Sequence, residues 1–277
     1  MTIPENDLSI NPELARKILT GFIKSEITRV GFERAVVGLS GGIDSALSCV
    51  LAAEALGPQN VLAVRMPYKT SSPESLEHAQ MVIDQFKVRS ETIEITDMVD
   101  PLIDRDPEMS KVRKGNIMAR ARMIILYDQS AAFNGLVVGT GNKTEILLGY
   151  STLWGDSASA LNPIGDLYKT QVRQLSRALG VPSAIVDKPP SADLWIGQTD
   201  EDELGFTYED VDKLLSLLVD QRYNPQECVE AGFDQSFVDG VVKRIRRNQF
   251  KRMLPPIAKV SNRTIGYDFL YLRDWGT

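Results

Sequence analysis

The sequence predicts an α/β fold: a doubly wound parallel sheet flanked by helices, with a helical C-terminal portion. Three observations carry that prediction. Short β-branched apolar runs alternate with longer Ala- and Leu-rich stretches through the first part of the chain. The first of those runs empties into a glycine-bearing turn that opens a helix. Beyond Thr207, only helical patterns remain. At 277 residues and 43% hydrophobic, the chain can bury a full core. We read residues 1–277 as one domain, with a mobile loop at about 187–206 and a helical C-terminal part at 207–260.

Taken in order, Asn11 to Val30 reads as an amphipathic helix: Pro12 suits its first turn, and Leu14, Ile18, Phe22 and Ile23 share a face. Arg34 to Leu39 is the first buried strand, and Asp44 to Leu56 the helix after it. Val61 to Met66 is the second strand; Pro67 and the Thr70–Pro73 loop lead to a helix over Glu74 to Phe86. Glu91 to Thr96 alternates as a third strand, and Leu136 to Thr140 is the fourth. Between them, Lys114 to Phe133 is a long helix with a broad apolar face through Ile117, Met118, Ala121, Ile124, Ile125 and Ala132. Ser151 to Ser159 is a small, polar loop, and a helix follows from Tyr168 to Leu179. Asp187 to Phe206 is the longest irregular stretch, rich in acids: a functional loop, or a solvated acidic linker. Helices at Thr207–Val219, Asn224–Ala231 and Ser236–Phe250 complete the chain. The last carries Lys243, Arg244, Arg246, Arg247, Lys251 and Arg252, either a solvated face or a phosphate-binding patch.

Chemistry concentrates in Leu39-Ser40-Gly41-Gly42-Ile43-Asp44-Ser45. A strand, a glycine turn and a helix start direct backbone N–H groups and the positive helix end at one point, which suits a phosphate. Gly41 and Gly42 let the backbone approach an anion, and Ser40 and Ser45 add hydroxyl donors. Asp44 beside phosphates would repel them unless a cation lies between, which points to Mg²⁺. The plain alternative is a tight turn whose Asp and Ser cap the helix. Neither the Walker spacing nor the Rossmann Gly-x-Gly-x-x-Gly is present.

Composition excludes several classes. A net charge of −6 gives no general attraction to nucleic acid, and no apolar run approaches the ~18 residues of a membrane span. Met1 to Pro12 is polar and lacks a signal-peptide apolar stretch, so a cytoplasmic protein is expected. Cys49 and Cys228 stand far apart and read as reduced, buried thiols. His78, the only histidine, reads as a surface residue. Any catalysis therefore falls to carboxylates, Lys, Arg, hydroxyls and a cation.

The loop resembles the Ser-Gly-Gly-x-Asp-Ser signature of the ATP pyrophosphatases, which cleave ATP between its α- and β-phosphates and adenylate an acceptor. Further segments, in order, resemble ammonia-dependent NAD synthetase. They are Lys114-Gly115-Asn116 with Ala119-Arg120-x-Arg122-Met123, Gly139-Thr140 with Glu145, Gly155-Asp156, and Leu167-Tyr168-Lys169-Thr170-Gln171-Val172. Lys188-x-Pro190-Ser191-Ala192-Asp193-Leu194, Gln198-x-Asp200-Glu201 and Asn248-x-x-Lys251-Arg252 follow.

The resemblance implies that deamido-NAD, ATP and ammonia give NAD, AMP and pyrophosphate through an adenylated carboxylate. Asp44 and Glu145 would hold Mg²⁺; Ser40, Gly41, Gly42 and Ser45 would cradle the pyrophosphate of ATP. Arg122 and Thr140 would also bind ATP, and Lys169 and Ser191 would stabilise charge at the α-phosphate. Asp156 would orient ammonium and accept its proton. Asn116, Arg120, Asp156 and Lys251 would bind deamido-NAD. The resemblance also implies a homodimer with the long 114–133 helix near the interface. No amidase segment is indicated, so free ammonia is the expected nitrogen source unless a separate amidase delivers it.

The family often reads Gly-Asp-Gly-Gly-x-Asp where this chain has Gly155-Asp156-Ser157-Ala158-Ser159-Ala160, and Phe250 stands where many members carry His. Two rivals remain: a related ATP pyrophosphatase with another acceptor, and a module that binds ATP without cleaving it.

Overall fold

The computed structural model describes residues 8–191 and 200–269. Its centre is a parallel sheet in the order β3-β2-β1-β4. The strands are β1 (Ala35–Gly38), β2 (Val61–Arg65), β3 (Arg89–Thr92) and β4 (Leu136–Val138). Register places Val36 beside Leu62 on one side and Val137 on the other. Successive strands step outward from β1 to β3, and the chain then returns to lay β4 on the opposite flank. That reversal opens a crevice at the carboxyl ends of β1 and β4, where such sheets bind ligands.

Both sheet faces are buried, so the central strands are apolar without alternation. Ala35, Val37, Val61 and Ala63 enter one cluster, while Val36, Leu62 and Val64 enter another. The first cluster is covered by α1 (Pro12–Arg29), α2 (Ile43–Leu56) and α3 (Pro73–Phe86). The second is covered by α4 (Thr96–Ile103) and α5 (Lys111–Phe133). Then come α6 (Lys143–Leu148), α7 (Lys169–Ala178) and α8 (Ser183–Val186), of which α7 and α8 join the first cluster. A third cluster holds α9 (Asp200–Leu204), α10 (Tyr208–Leu215), α11 (Pro225–Glu230) and α12 (Gln235–Arg247), with Leu148 and Tyr168 set into it.

The expected elements recur with instructive shifts. The third strand begins at Arg89 rather than Glu91 and is fully exposed, a polar edge that resists further pairing. The chain still pairs with the end of β2 through Ile93 N–H to Arg65 O and Ile95 N–H to Pro67 O, both 2.9 Å. Pro67 has no N–H to return, which ends the regular ladder. Thr96 then opens α4, a helix the alternating pattern did not predict. α6 was also missed as a helix, because it is only six residues long.

His78 is buried rather than on the surface. Ser75, His78, Ala79 and Val82 form the inward stripe of α3, so helical spacing overrides the polar look of the segment. Cys49 and Cys228 are buried and unpaired as thiols, and burial pushes Cys49 up to about 12. The acidic 187–206 stretch is not a solvated linker at its far end: α9 starts at Asp200, which is buried. Residues 192–199, on which the rest of the mobile-loop expectation falls, lie outside the described residues. No described helix is long and apolar enough to cross a membrane.

Candidate active site

A cleft of about 570 Å³ opens over the carboxyl ends of β1 and β4. Ser40, Gly42, Asp44 and Ser45 form its floor at the start of α2. Ser40 Oγ and Ser45 Oγ lie 3.0 Å apart, and Ser45 Oγ donates to Gly42 O at 2.9 Å. Gly42 is the N-cap of α2 and supplies no side-chain cap, so the helix start presents its N–H groups to the cleft. Gly41 plays a different part from the one expected. It does not line the cleft; its φ is +86°, and a Cβ there would stand 2.1 Å from Ser75 O. It allows α3 to press against the turn.

The second wall comes from the turn after β4, which carries Thr140, and from α6. Asn142 caps α6 reciprocally: its side chain accepts Glu145 N–H at 2.9 Å, and Glu145 Oε2 accepts Asn142 N–H at 3.4 Å. Asn142 Nδ2 also donates to Asp44 Oδ1 at 2.9 Å, which ties the two helix starts together. Sequence reading missed Asn142 as a site residue, although Asn-x-x-Glu is a capping signature.

Asp44, Glu145 and Lys169 converge. Lys169 Nζ lies 2.5 Å from Asp44 Oδ2 and 3.2 Å from Glu145 Oε1, and 5.1 Å from the Tyr208 ring centroid. Burial disfavours the Lys169 charge, but Asp44 and Glu145 outweigh it and hold the ammonium protonated. Burial pushes Glu145 up to about 8; Lys169 opposes the rise, while Asp44 and Asp200 add to it. Three carboxyl groups thus share one ammonium, and the corner lacks the positive charge that would let all three ionise. Two carboxylates that can share one cation, with hard oxygen donors only, fit Mg²⁺. The described residues hold no cluster of three or more His, Cys, Asp and Glu side chains arranged as a metal site, so a bound ion would draw its remaining ligands from phosphate or water.

Asp200 joins this corner from α9. It accepts Tyr150 Oη at 3.1 Å and Tyr208 Oη at 3.2 Å, and its N–H donates to Pro190 O at 3.0 Å. Tyr150 Oη also lies 2.7 Å from Glu203 Oε2, so its single proton is shared between the two carboxyl groups. Tyr150 and Tyr208 carried no sequence signal, since an isolated tyrosine has no period or spacing to betray it. Ser191 lines the cleft mouth, and Lys188 just before it pairs with Glu74 at 3.0 Å.

Toward the other end, Asn116 and Arg122 of α5 line the cleft. Asn116 Oδ1 accepts Thr152 Oγ at 2.7 Å, and Arg122 Nε donates to Met66 O at 3.0 Å. Asp156 opens on the same space and accepts Thr152 N–H at 2.7 Å. Asp156 is exposed at its surface, yet crowding by the cleft wall raises its carboxyl above the ordinary value, against the Thr152 N–H and Lys251, which lower it. Arg120 is not brought to the cleft wall; it is exposed and donates to Leu153 O at 3.2 Å. Ala160 presents no acid here and serves through its N–H, which donates to Val137 O at 2.9 Å.

The C-terminal basic cluster divides. Lys251 lines the cleft, yet its Nζ donates to Gly149 O and Ser151 O at 2.7 and 2.6 Å. Arg252 Nη1 donates to Leu147 O at 2.7 Å, and Asn248 Nδ2 to Leu148 O at 2.9 Å. These side chains satisfy the carbonyl end of α6, where cations are favoured. Arg244 lines the cleft over Tyr150, with its Nε buried and without a hydrogen-bond partner among the described residues. Lys243, Arg246 and Arg247 are exposed and outside the cleft.

Comparison with known proteins identifies the family. The family model described as NAD synthase matches residues 15–255. The NH(3)-dependent NAD(+) synthetase of Trichlorobacter lovleyi is 59% identical over 269 residues, 97% of this chain and 98% of that one. The protein of the same name from Chlorobium phaeovibrioides is 55% identical, over 97% of each chain. Among solved structures, the NH3-dependent NAD synthetase from Campylobacter jejuni superposes with TM-score 0.78 at 34% identity, covering 90% of this chain and 100% of that one. An NMN synthetase from Francisella tularensis gives TM-score 0.81 at 31% identity, over 90% and 99%. The chain belongs to the NAD synthase family.

Proposed function

We propose that this chain amidates deamido-NAD with ammonia at the expense of ATP, giving NAD, AMP and pyrophosphate. The observation that carries the reading is the pairing of an uncapped helix start at Gly42 with two carboxylates, Asp44 and Glu145, that converge on Lys169. A passive ATP binder has little need for that carboxylate pair. Full-length similarity to NH(3)-dependent NAD(+) synthetases supports the choice of acceptor and nitrogen donor.

Ser40, Gly42 and Ser45 cradle the β- and γ-phosphates, with Thr140 and Arg122 on the nucleotide. Asp44 and Glu145 hold Mg²⁺, which when bound neutralises charge on the departing pyrophosphate. The nicotinate carboxylate oxygen attacks the α-phosphorus and pyrophosphate leaves. Lys169 and Ser191 face the charge that develops there. Ammonia then attacks the carboxyl carbon of the adenylate, AMP leaves with the oxygen, and Asp156 takes the proton released from nitrogen. Asn116 holds the dinucleotide beside Asp156. Lys251 reaches it by giving up a carbonyl contact, and Arg120, outside the cleft of one chain, would reach a dinucleotide that lies across both subunits of the homodimer. The exposed Ile124 and Tyr127 on α5 support a homodimer through that helix. We place the enzyme in the cytoplasm and read the whole chain as one functional unit.

The test is product analysis with ATP, Mg²⁺ and ammonium, with and without deamido-NAD. Equal amounts of NAD, AMP and pyrophosphate, all requiring deamido-NAD, are expected. ATP binding without acceptor-dependent pyrophosphate would refute the acceptor. Nicotinate mononucleotide belongs in the same assay, because a structural relative is an NMN synthetase. A clear preference for it would replace the dinucleotide in this reading.

A further inference from the structure

Asp212 of α10 is fully buried and takes no part in the cleft wall, yet its two oxygens reach two helix starts. Oδ1 accepts Thr144 Oγ at 2.5 Å in the first turn of α6, and Oδ2 accepts Thr170 N–H at 2.8 Å in the first turn of α7. Thr144 Oγ accepts Lys169 N–H at 3.0 Å. Glu145 follows Thr144 directly, and Lys169 precedes Thr170. One carboxylate therefore braces the backbone beneath both charged residues of the cation corner.

Capping alone does not account for Asp212. α6 already has Asn142 as its cap, and although Tyr168 leaves α7 without a side-chain cap, the Thr170 N–H uses only one of the two Asp212 oxygens. A carboxylate buried among Val211, Leu214 and Leu215 is costly unless its hydrogen bonds repay it. A serine or asparagine could reach one helix start; spanning two with acceptors alone takes a carboxylate. Burial pushes its carboxyl above the ordinary value, and the hydrogen bonds from Thr144 and Thr170 oppose that rise. Lys169 Nζ is itself enclosed, so it has little room to recover if its backbone shifts.

We propose that Asp212, acting through Thr144, is a positioning residue that sets the separation of the Glu145 carboxylate and the Lys169 ammonium. This rests on Glu145 and Asp44 being the cation ligands of the proposed reaction. Outer-shell partners of this kind typically change metal affinity or activity about 10–100-fold when removed.

The test compares Thr144→Val, which keeps the shape and deletes the hydroxyl, with Thr144→Ser, which keeps the hydroxyl. Asp212→Asn is the third variant. Rates of NAD formation are measured against Mg²⁺ concentration, alongside calorimetric titration of ATP with and without Mg²⁺ and thermal melting. Thr144→Val is expected to lower kcat about 10-fold or more and to raise the Mg²⁺ needed for half-maximal rate, with the KM for ammonium unmoved. Thr144→Ser should restore both. A folded Thr144→Val with a lower melting temperature but unchanged kcat and Mg²⁺ dependence would overturn the proposal, since that is what a purely structural role gives. If Asp212→Asn does not fold, the Thr144 pair still decides. If the wild-type chain makes no NAD, the proposed reaction fails on its own. The brace is then judged from Mg²⁺-dependent ATP binding, which needs no acceptor: loss in Thr144→Val supports it, and wild-type binding refutes it.

Discussion

Two strand–turn–helix units flank the cleft, β1–α2 and β4–α6, and their helix starts are finished in opposite ways. At α2 the N-cap is Gly42, no side chain closes the helix, and the N–H groups are left for a ligand. At α6 the N-cap is Asn142, the capping box with Glu145 is complete, and the start is closed to anions. The same topology thus leaves helix-start donors open on one side and sets a carboxylate beside the cleft on the other. Asn142 Nδ2 to Asp44 and Lys169 between Asp44 and Glu145 hold the two in register. A helix dipole gives either outcome; the residue at the cap selects which.

The largest effect is expected where the two units meet. Lys169→Met strands Asp44 and Glu145 in a buried corner, and breaking such a group typically costs about 3–5 kcal/mol. Melting without Mg²⁺ should show that loss, Mg²⁺ should recover part of it, and NAD formation should fall at least about 100-fold. An unchanged melting temperature without Mg²⁺ would mean that the corner does not need its ammonium.

Next come the two glycines of the open turn, which look alike in sequence. Gly41→Ala meets both a positive φ and the Ser75 carbonyl, so it should destabilise by about 2 kcal/mol or more, read by denaturant unfolding. Gly42→Ala has an ordinary φ of −85° and nothing nearer than Ser40 Oγ at 3.4 Å. It should melt near wild type while ATP binding weakens. Equal effects on stability would erase the distinction drawn between them.

The closed unit has a pH signature. Without metal, Glu145 titrates at about 8 against an ordinary 4.5, so between those values the folded state holds a proton that the unfolded chain has lost. Its contribution therefore makes stability fall as pH rises through that window. Mg²⁺ must displace that proton, so its stabilising shift should grow with pH. The difference between wild type and Glu145→Gln, melted with and without Mg²⁺ across the window, isolates the residue. A Mg²⁺ shift that is flat with pH would contradict the assignment.

The smallest change tests the cap itself. Gly42→Asn would give α2 a side-chain cap like that of α6, stabilising by a few tenths of a kcal/mol while weakening ATP binding. Asn142→Ala should lose about 1 kcal/mol and loosen Asp44. If Gly42→Asn bound ATP as tightly as wild type, the open N–H groups would not be the anion site.

How legible each part was depends on whether its chemistry lies along the chain or across it. Ser40 to Ser45 could be read directly, because turn, donors and acid are contiguous in one strand-to-helix junction. The sheet was legible because its central strands are buried on both faces and carry unbroken apolar runs. The edge strand was legible from the alternation of Glu91 to Thr96, but its start at Arg89 is exposed and held by backbone pairing, which leaves no apolar pattern to mark that boundary. The corner around Lys169 draws on α2, α6, α7 and α9, and no spacing rule brings those together. Lys251 and Arg120 show what a motif leaves open: Lys251 lines the cleft with its ammonium held by the carbonyls of Gly149 and Ser151, while Arg120 is exposed outside it. His78 was misread because its neighbours are polar while its position on α3 faces the core.

The central claim is that the open start of α2 takes the phosphates while Asp44 and Glu145 share the cation. The most direct measurement is a crystal structure with Mg²⁺ and an ATP analogue that resists α,β-cleavage. The account predicts β- and γ-phosphate oxygens on the backbone N–H groups at the start of α2 and on Ser40 and Ser45, with the metal between those oxygens and the carboxylates of Asp44 and Glu145. Phosphates seated instead on Arg244 and Lys251, or a metal that leaves Glu145 untouched, would contradict it.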